Sequence, residues 1–400
     1  MLYNNLAGAV QALCREALDG ARVTGSREIR AGDGSLSFGV AKQFARRHAR
    51  GRRFVLAGAL IVVVAVTGAT LDLTHESEAT VLPNAVAANG RIALLDPTLS
   101  LLTSVKPDGS ARRVVARCRH VFTACRIRLF AWSPNGKRLL FFRSDGDQFY
   151  VYSLYVVDAD GRNLKRLAKC GLCGTPVNSG AAWSPHSTSI VYSGKNGLFV
   201  VDARRGVTRR LTRCGTSCTD LFPAWSPNGS KIAFTRRGSL YTVKPNGSAL
   251  KKLTSAPYAS DPAWSPDGRR LTFDGPNQIY IVDADGSHQT LLLDGASGSG
   301  PNVPSWSPDG TRLLFFYTPG TPGAFTAEVW VMKPDGTERS RLYQSGCCVE
   351  TWSPPIWSPD GTSIAFSANT AGGVLVMNSD GTHLRTLSPS PSDIAWQPIR

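Results

Sequence analysis

The sequence predicts an all-β fold, a seven-bladed β-propeller of four-stranded antiparallel blades, preceded by a single transmembrane helix. Three observations predict it. A Trp-Ser-Pro motif recurs as WSPNG at Trp132 and Trp225, WSPHS at Trp183 and WSPDG at Trp264, Trp306 and Trp357, with a truncated WQPIR from Trp396. A second motif ends in a turn glycine and alternates with the first, at Gly109, Gly161, Gly206, Gly247, Gly286, Gly336 and Gly381. Ahead of both, Phe54–Leu71 runs without a charge.

The apolar run reaches the length of a membrane-spanning helix. Lys42, Arg46, Arg47, Arg50, Arg52 and Arg53 precede it, and Asp72, Glu76 and Glu78 follow it. Basic residues stay on the cytoplasmic side, so the chain beyond about residue 72 is expected outside. A buried core helix would not explain that charge step. A cleaved signal peptide is the rival, but the small-residue site Ala85-Val86-Ala87 lies far from the run. The expected organisation is a cytoplasmic segment over 1–53, basic near the membrane, a helix over 54–71, a linker over 72–88 and a propeller over 89–400. The remaining composition agrees: 42% hydrophobic residues exclude general disorder, and one apolar run excludes a polytopic membrane protein.

The cysteines follow this topology. Cys14 falls on the cytoplasmic side, and an even set of eight lies outside in four local pairs: Cys118 and Cys125, Cys170 and Cys173, Cys214 and Cys218, Cys347 and Cys348. An oxidising compartment favours such an arrangement, and each pair reads as a staple within one loop. Two other readings stay open, cross-blade pairing between the 170 and 214 loops and a zinc site built from the same four thiols.

Each repeat reads as four strands, a to d. In the unit at Trp225, FPAW is strand a and SPNG a turn, with Pro fixing φ and Gly taking the position that needs φ > 0. KIAFTR is strand b, SLYTVK strand c, PNG the next turn and ALKKLT strand d. Tryptophan spacings of 51, 42, 39, 42, 51 and 39 residues match the 40–45 residues of a propeller blade. The chain ends on a strand a that lacks its strand b, while Asn89-Gly90-Arg91-Ile92 opens on a strand b that lacks its strand a. Joined, the two ends make the seventh blade.

On these residues the chain resembles the TolB-type, WD-like β-propeller repeat: WSPDG, an IAF-like strand, a VDxDG hairpin and a closing LT. The resemblance spans residues 89–400. It implies the fold; joined to the anchor expected at 54–71, the expected role is a membrane-anchored extracytoplasmic binding or scaffolding module. TolB itself resembles a six-bladed version, so its partners do not transfer.

The a–b and c–d turns share one face and are uniform, whereas the b–c and d–a connections share the other and vary in length. Variable loops on a rigid ring carry binding. All four cysteine pairs lie in d–a loops, as do Arg117, Arg119, Arg126, Arg128 and Arg213, the candidates for an anionic partner. Residues 106–252 hold 26 Lys/Arg against 7 Asp/Glu, and residues 253–400 hold 8 against 14. The partner classes this charge suggests are a protein or an anionic envelope component, with membrane contact through one helix, no nucleic acid outside the cell and a monomeric propeller. No cofactor is expected. VDADG at Asp158–Asp160 and Asp283–Asp285 lacks the oxygen run of a calcium loop and is explained by turn chemistry. No GxSxG elbow occurs, and His75, His120, His186, His288 and His383 stand singly. No catalytic residue is assigned. The alternative is a propeller enzyme acting on glycans or peptides through the central funnel.

The topology has a direct check. A membrane-impermeant reagent applied to intact cells is expected to label residues beyond 72 and to spare Cys14, and labelling of Cys14 with protection of the propeller reverses the orientation.

Overall fold

The computed structural model describes residues 88–399 except 97–98, 119–124, 145–150, 172–179, 216–217, 255–257, 296–299, 320–327, 346–353, 369–372 and 391, and three strands ahead of them. The chain divides into two compact units, Met1–Val81 and Leu82–Arg400. In the first, Arg27–Arg30, Ser35–Val40 and Val62–Val66 form one antiparallel sheet. No helix among the described residues is long and apolar enough to cross a membrane. Val62–Val66 falls within the run expected to be helical and is a strand instead. Its four valines are β-branched, which favours the extended backbone where a partner strand is present.

The second unit is a seven-bladed propeller of four-stranded antiparallel sheets. The unit at Trp225 shows how local sequence sets each blade. Its strands are Asp220–Trp225, Ile232–Arg236, Ser239–Val243 and Lys251–Lys252. The Ser226 hydroxyl donates to Asn228 Oδ1 and accepts from the Lys231 N–H, closing the a–b turn around Gly229 at φ 71°. Blade order from the first Trp places strand a at 127–132, 181–183, 220–225, 260–264, 300–306, 356–357 and 394–399. These seven strands touch one another in sequence around the ring, the last against the first, so strand a lines the axis. Strand d contacts only its own blade's strand c and a few neighbours, and forms the outer edge.

Strand b is buried on both faces rather than alternating: Ile232, Ala233, Phe234 and Thr235 are all buried. The reason is that each sheet is covered by a blade on either side, the condition that turns a strand into a continuous apolar run. Seven clusters of buried side chains fill the seven blade interfaces, each drawn from two adjacent sheets. Between the blades of Trp132 and Trp183, for example, Phe142 and Leu154 meet Ile190 and Tyr192.

The seventh blade is closed by both termini, as the sequence predicts. Strand a, Ile394–Ile399, pairs with Ala88–Leu95, which continues into Leu101–Val105 and Arg113–Arg117. Gln397 fastens the join. Its Oε1 accepts from the Arg91 N–H at 2.8 Å, and its Nε2 donates to the Gly136 carbonyl of the next blade at 2.6 Å. A side chain at position 90 would collide with Gln397, so Gly90 permits the contact. Removing residues 390–400 is expected to abolish the cooperative melting transition, because it strips a central strand from one blade and uncovers the next. Gln397→Ala is expected to fold but to lose about 1–3 kcal/mol through the buried groups left without partners, measured by denaturant unfolding.

Candidate binding channel

The start of each strand a forms the channel wall near the d–a loops. Counting back from the blade's Trp, the third residue is Gly180, Phe222, Asp261, Val303 and Pro354 in five successive blades, and the second is Ala181, Pro223, Pro262, Pro304 and Pro355. All ten line a channel of about 400 Å³, together with Phe130, Phe142 and Ile356. Phe222, Asp261 and Val303 hold φ of 52°, 44° and 51°, and the strand a–strand b register breaks at the same places. A left-handed residue directly before proline is disfavoured on both counts, so these bulges are held by the ring around them.

The channel wall carries carboxylates. Asp261 faces the cavity, and Asp274 on the adjacent strand b lies opposite Ser260 in register, only 6% exposed. Asp274 Oδ2 accepts from the Val303 N–H at 3.2 Å, while Oδ1 is buried without a hydrogen-bond partner. Burial pushes Asp261 up to about 6. Burial, and next the like charge of Asp261, push Asp274 up to about 8. Asp393 stands at the same third position before Trp396. Burial raises it, and the nearby Arg128 guanidinium opposes the rise. Elsewhere on the ring a buried acid has its cation: Asp220 takes Arg236 Nε at 2.6 Å and Nη2 at 2.7 Å.

The structure separates the predicted arginines. Arg117 ends strand d of the seventh blade and is exposed, and Arg126 is exposed across the Cys118–Cys125 disulfide from it. Arg128 lies within strand a rather than in a loop; it is half-buried, its Nε is enclosed and its charge bears on Asp393. Arg213 is exposed beside the Cys214–Cys218 disulfide, between the second and third blades. Arg119, Cys173, Cys347 and Cys348 lie outside the described residues, as does the side chain of Cys170. Two predicted staples are therefore present. Among the described residues, one group of three metal-ligating side chains converges, Cys214, Cys218 and Asp220. Its two sulfurs are bonded to each other and its carboxylate is held by Arg236 and Thr212, so it is not a zinc centre.

Much of the basic charge sits on the outer edge. Lys165, Arg166 and Lys169, then Arg209 and Arg210, then Lys251 and Lys252 are exposed on strands d of three consecutive blades. The channel acids escaped the sequence reading. The one available signal was position: Asp261 and Asp393 stand three residues before a repeat Trp, Asp261 within the strand that lines the axis and Asp393 directly before it.

The acids give a pH dependence of definite sign. A carboxyl whose folded pKa is raised holds its proton more tightly when folded, so its contribution is complete below about pH 4 and is lost as pH rises toward 6 for Asp261 and 8 for Asp274. The melting temperature is expected to fall between pH 5 and pH 8, and Asp274→Asn to be more stable than the parent at pH 8 by on the order of 5 °C. The two proteins should converge below about pH 4 by calorimetry.

Comparisons with known proteins follow the architecture. The TolB beta propeller domain matches residues 256–398. No curated protein matches the sequence. An oligogalacturonate lyase solved in complex with manganese is 14% identical with a TM-score of 0.57, covering 76% of this chain and 86% of its own. The oligogalacturonate lyase of Vibrio parahaemolyticus is also 14% identical, with a TM-score of 0.54 over 74% of this chain and 86% of its own. A TolB of Agrobacterium tumefaciens is 20% identical with a TM-score of 0.45, over 68% of this chain and 95% of its own. At these identities the solved structures share the fold alone. Five WSPxG turns and their variants WSPHS and WQPIR mark seven four-stranded units, and over residues 256–398 this repeat is similar to the TolB beta propeller domain.

Proposed function

We propose that the protein is a membrane-anchored, extracytoplasmic binding or scaffolding module, working through the ring face that carries the d–a loops and the channel mouth. The observation that carries this reading is the inequality of the two faces. One presents short turns built from the same serine, Asx and glycine contacts in blade after blade. The other gathers the channel mouth, Asp261 and the two disulfide-closed loops. Disulfides support an oxidising compartment. The run at 54–71, with its basic flank, supports an anchor. Inserted into a bilayer, a lone segment of this kind has to satisfy its backbone as a helix.

The partner classes that suit the surface are a protein or an anionic envelope component. Arg117, Arg126 and Arg213 are exposed on this face, as are Lys195 and Arg237 on its b–c turns, while Arg128 lies in strand a with its charge on Asp393. The likeness to oligogalacturonate lyases favours a second reading, an enzyme acting on glycans in the funnel. Against a polyuronate substrate stands the make-up of the channel: its carboxylate, Asp261, has no Lys or Arg among the described residues beside it, so the wall there offers a chain of carboxylates no counter-charge.

Sedimentation of the propeller unit with vesicles tests the anionic-partner reading. Binding to anionic vesicles is expected to exceed binding to neutral ones, to weaken at high salt, and to fall at least threefold in the Arg117→Glu, Arg126→Glu, Arg213→Glu variant. Equal binding by parent and variant would leave these arginines as a solvated rim.

A further inference from the structure

The channel wall beside the blade of Trp264 is built differently from its neighbours. Phe222 and Val303 occupy the position of Asp261 in the flanking blades, with the same left-handed φ, the same following proline and the same register break. The bulge therefore does not require a carboxylate. Thr235 occupies the position of Asp274 in the preceding blade and satisfies its hydroxyl on the Leu221 carbonyl. A neutral side chain serves there. At this one blade both positions are aspartate.

Neither acid has a cation. Asp220 has Arg236, and Asp393 has Arg128, but no Lys or Arg among the described residues bears on Asp261 or Asp274. The flanking loop segments outside the described residues, Ser255-Ala256-Pro257 and Ala296-Ser297-Gly298-Ser299, contain none either. In a chain with 45 Lys and Arg, the positive charge is missing where two carboxylates share a buried wall. Asp274 Oδ1, enclosed and without a partner, is a second sign that the wall is incomplete.

The surroundings narrow the class of cation. Phe222, Pro223, Pro262, Val303 and Pro304 present carbon to the cavity around Asp261. A calcium ion takes six to eight oxygens, and two carboxylates in an apolar wall do not approach that number. An organic cation fits the whole surface, its charged head on the carboxylate and its body on the rings. A cavity of about 400 Å³ is of small-molecule size.

We propose that the channel mouth beside Asp261 binds a small organic cation, an ammonium or amidinium group on an apolar body, with Asp261 as the direct counter-charge and Asp274 supporting it from behind. This deepens the binding-module reading and rests on the channel being its site. Binding is measured by isothermal titration of the full chain in mild detergent, at pH 8.5, with 2-phenylethylamine and benzamidine as probes and 2-phenylethanol as the uncharged control. Both cations are expected to bind at least tenfold more tightly than the alcohol. Asp261→Asn is expected to weaken them at least tenfold while retaining a cooperative melt. Asp274→Asn is expected to weaken them less and to raise the melting temperature at that pH. Equal affinity for the alcohol, or unchanged affinity in Asp261→Asn, overturns the proposal. Binding of calcium that depends on Asp261, with no binding of either amine, overturns it in favour of a metal site. Failure of the probes leaves the vesicle result for the loop face standing, so the two readings fail separately.

Discussion

The ring depends on one contact repeated at five of its seven seams, the indole N–H of a repeat tryptophan reaching into the inner strand of the blade before it. Trp132 donates to the Ala395 carbonyl, Trp183 to Ala131, Trp264 to Ala224, Trp306 to Ala263 and Trp357 to Ser305, all at 3.1–3.3 Å. The acceptor is each time the residue before the preceding repeat Trp. At these five seams it is alanine or serine, small enough for the indole to come close. Trp225 and Trp396 bury the same N–H without a partner. An indole buried between two sheets contributes both apolar area and a directional bond, so it sets the spacing and the angle of adjacent blades together. Arginines strengthen three of the seams: the guanidinium of Arg138 lies 5.1 Å from the Trp183 ring, that of Arg270 5.2 Å from Trp306, and that of Arg312 4.8 Å from Trp357.

The same contact explains why closure matters to more than one blade. Trp132, the first tryptophan of the repeat, finds its acceptor on Ala395 in the last strand. Gln397 then reaches the first a–b turn at Gly136. The C-terminal strand thus completes its own sheet and one wall of the next. The pairing of 394–399 with 88–95 joins strands about 300 residues apart in the chain, so it carries a large loop-closure cost.

A rigid ring also permits charge to be partitioned. Outer strands d of three consecutive blades carry exposed lysines and arginines, whereas Asp261 lies within an inner strand and Asp393 directly before another. Solvent screens the rim charges over about 8 Å at physiological ionic strength. The inner acids lie in apolar walls and are screened far less, so a few carboxylates dominate the channel of a chain whose formal charge is +16. Binding chemistry at the axis is for this reason set by individual residues and not by net charge.

Blade number, blade boundaries and the joining of the termini were legible in the residues because each is encoded locally. Ser226, Asn228 and Gly229 close a turn by contacts within five residues, and the tryptophan spacing counts how often that happens. The two described disulfides were legible for the same reason, their cysteines lying seven and four residues apart. What only the tertiary structure decided is which charges meet. Arg128 read as a loop cation until strand a extended through it and brought it to Asp393, 265 positions on. Asp274 carries no local signal in the sequence; it is the fold that covers it and leaves one of its oxygens unpaired. A charge has its meaning from its solvent and its counter-charge, and in a closed ring both are supplied by residues that are remote in the chain.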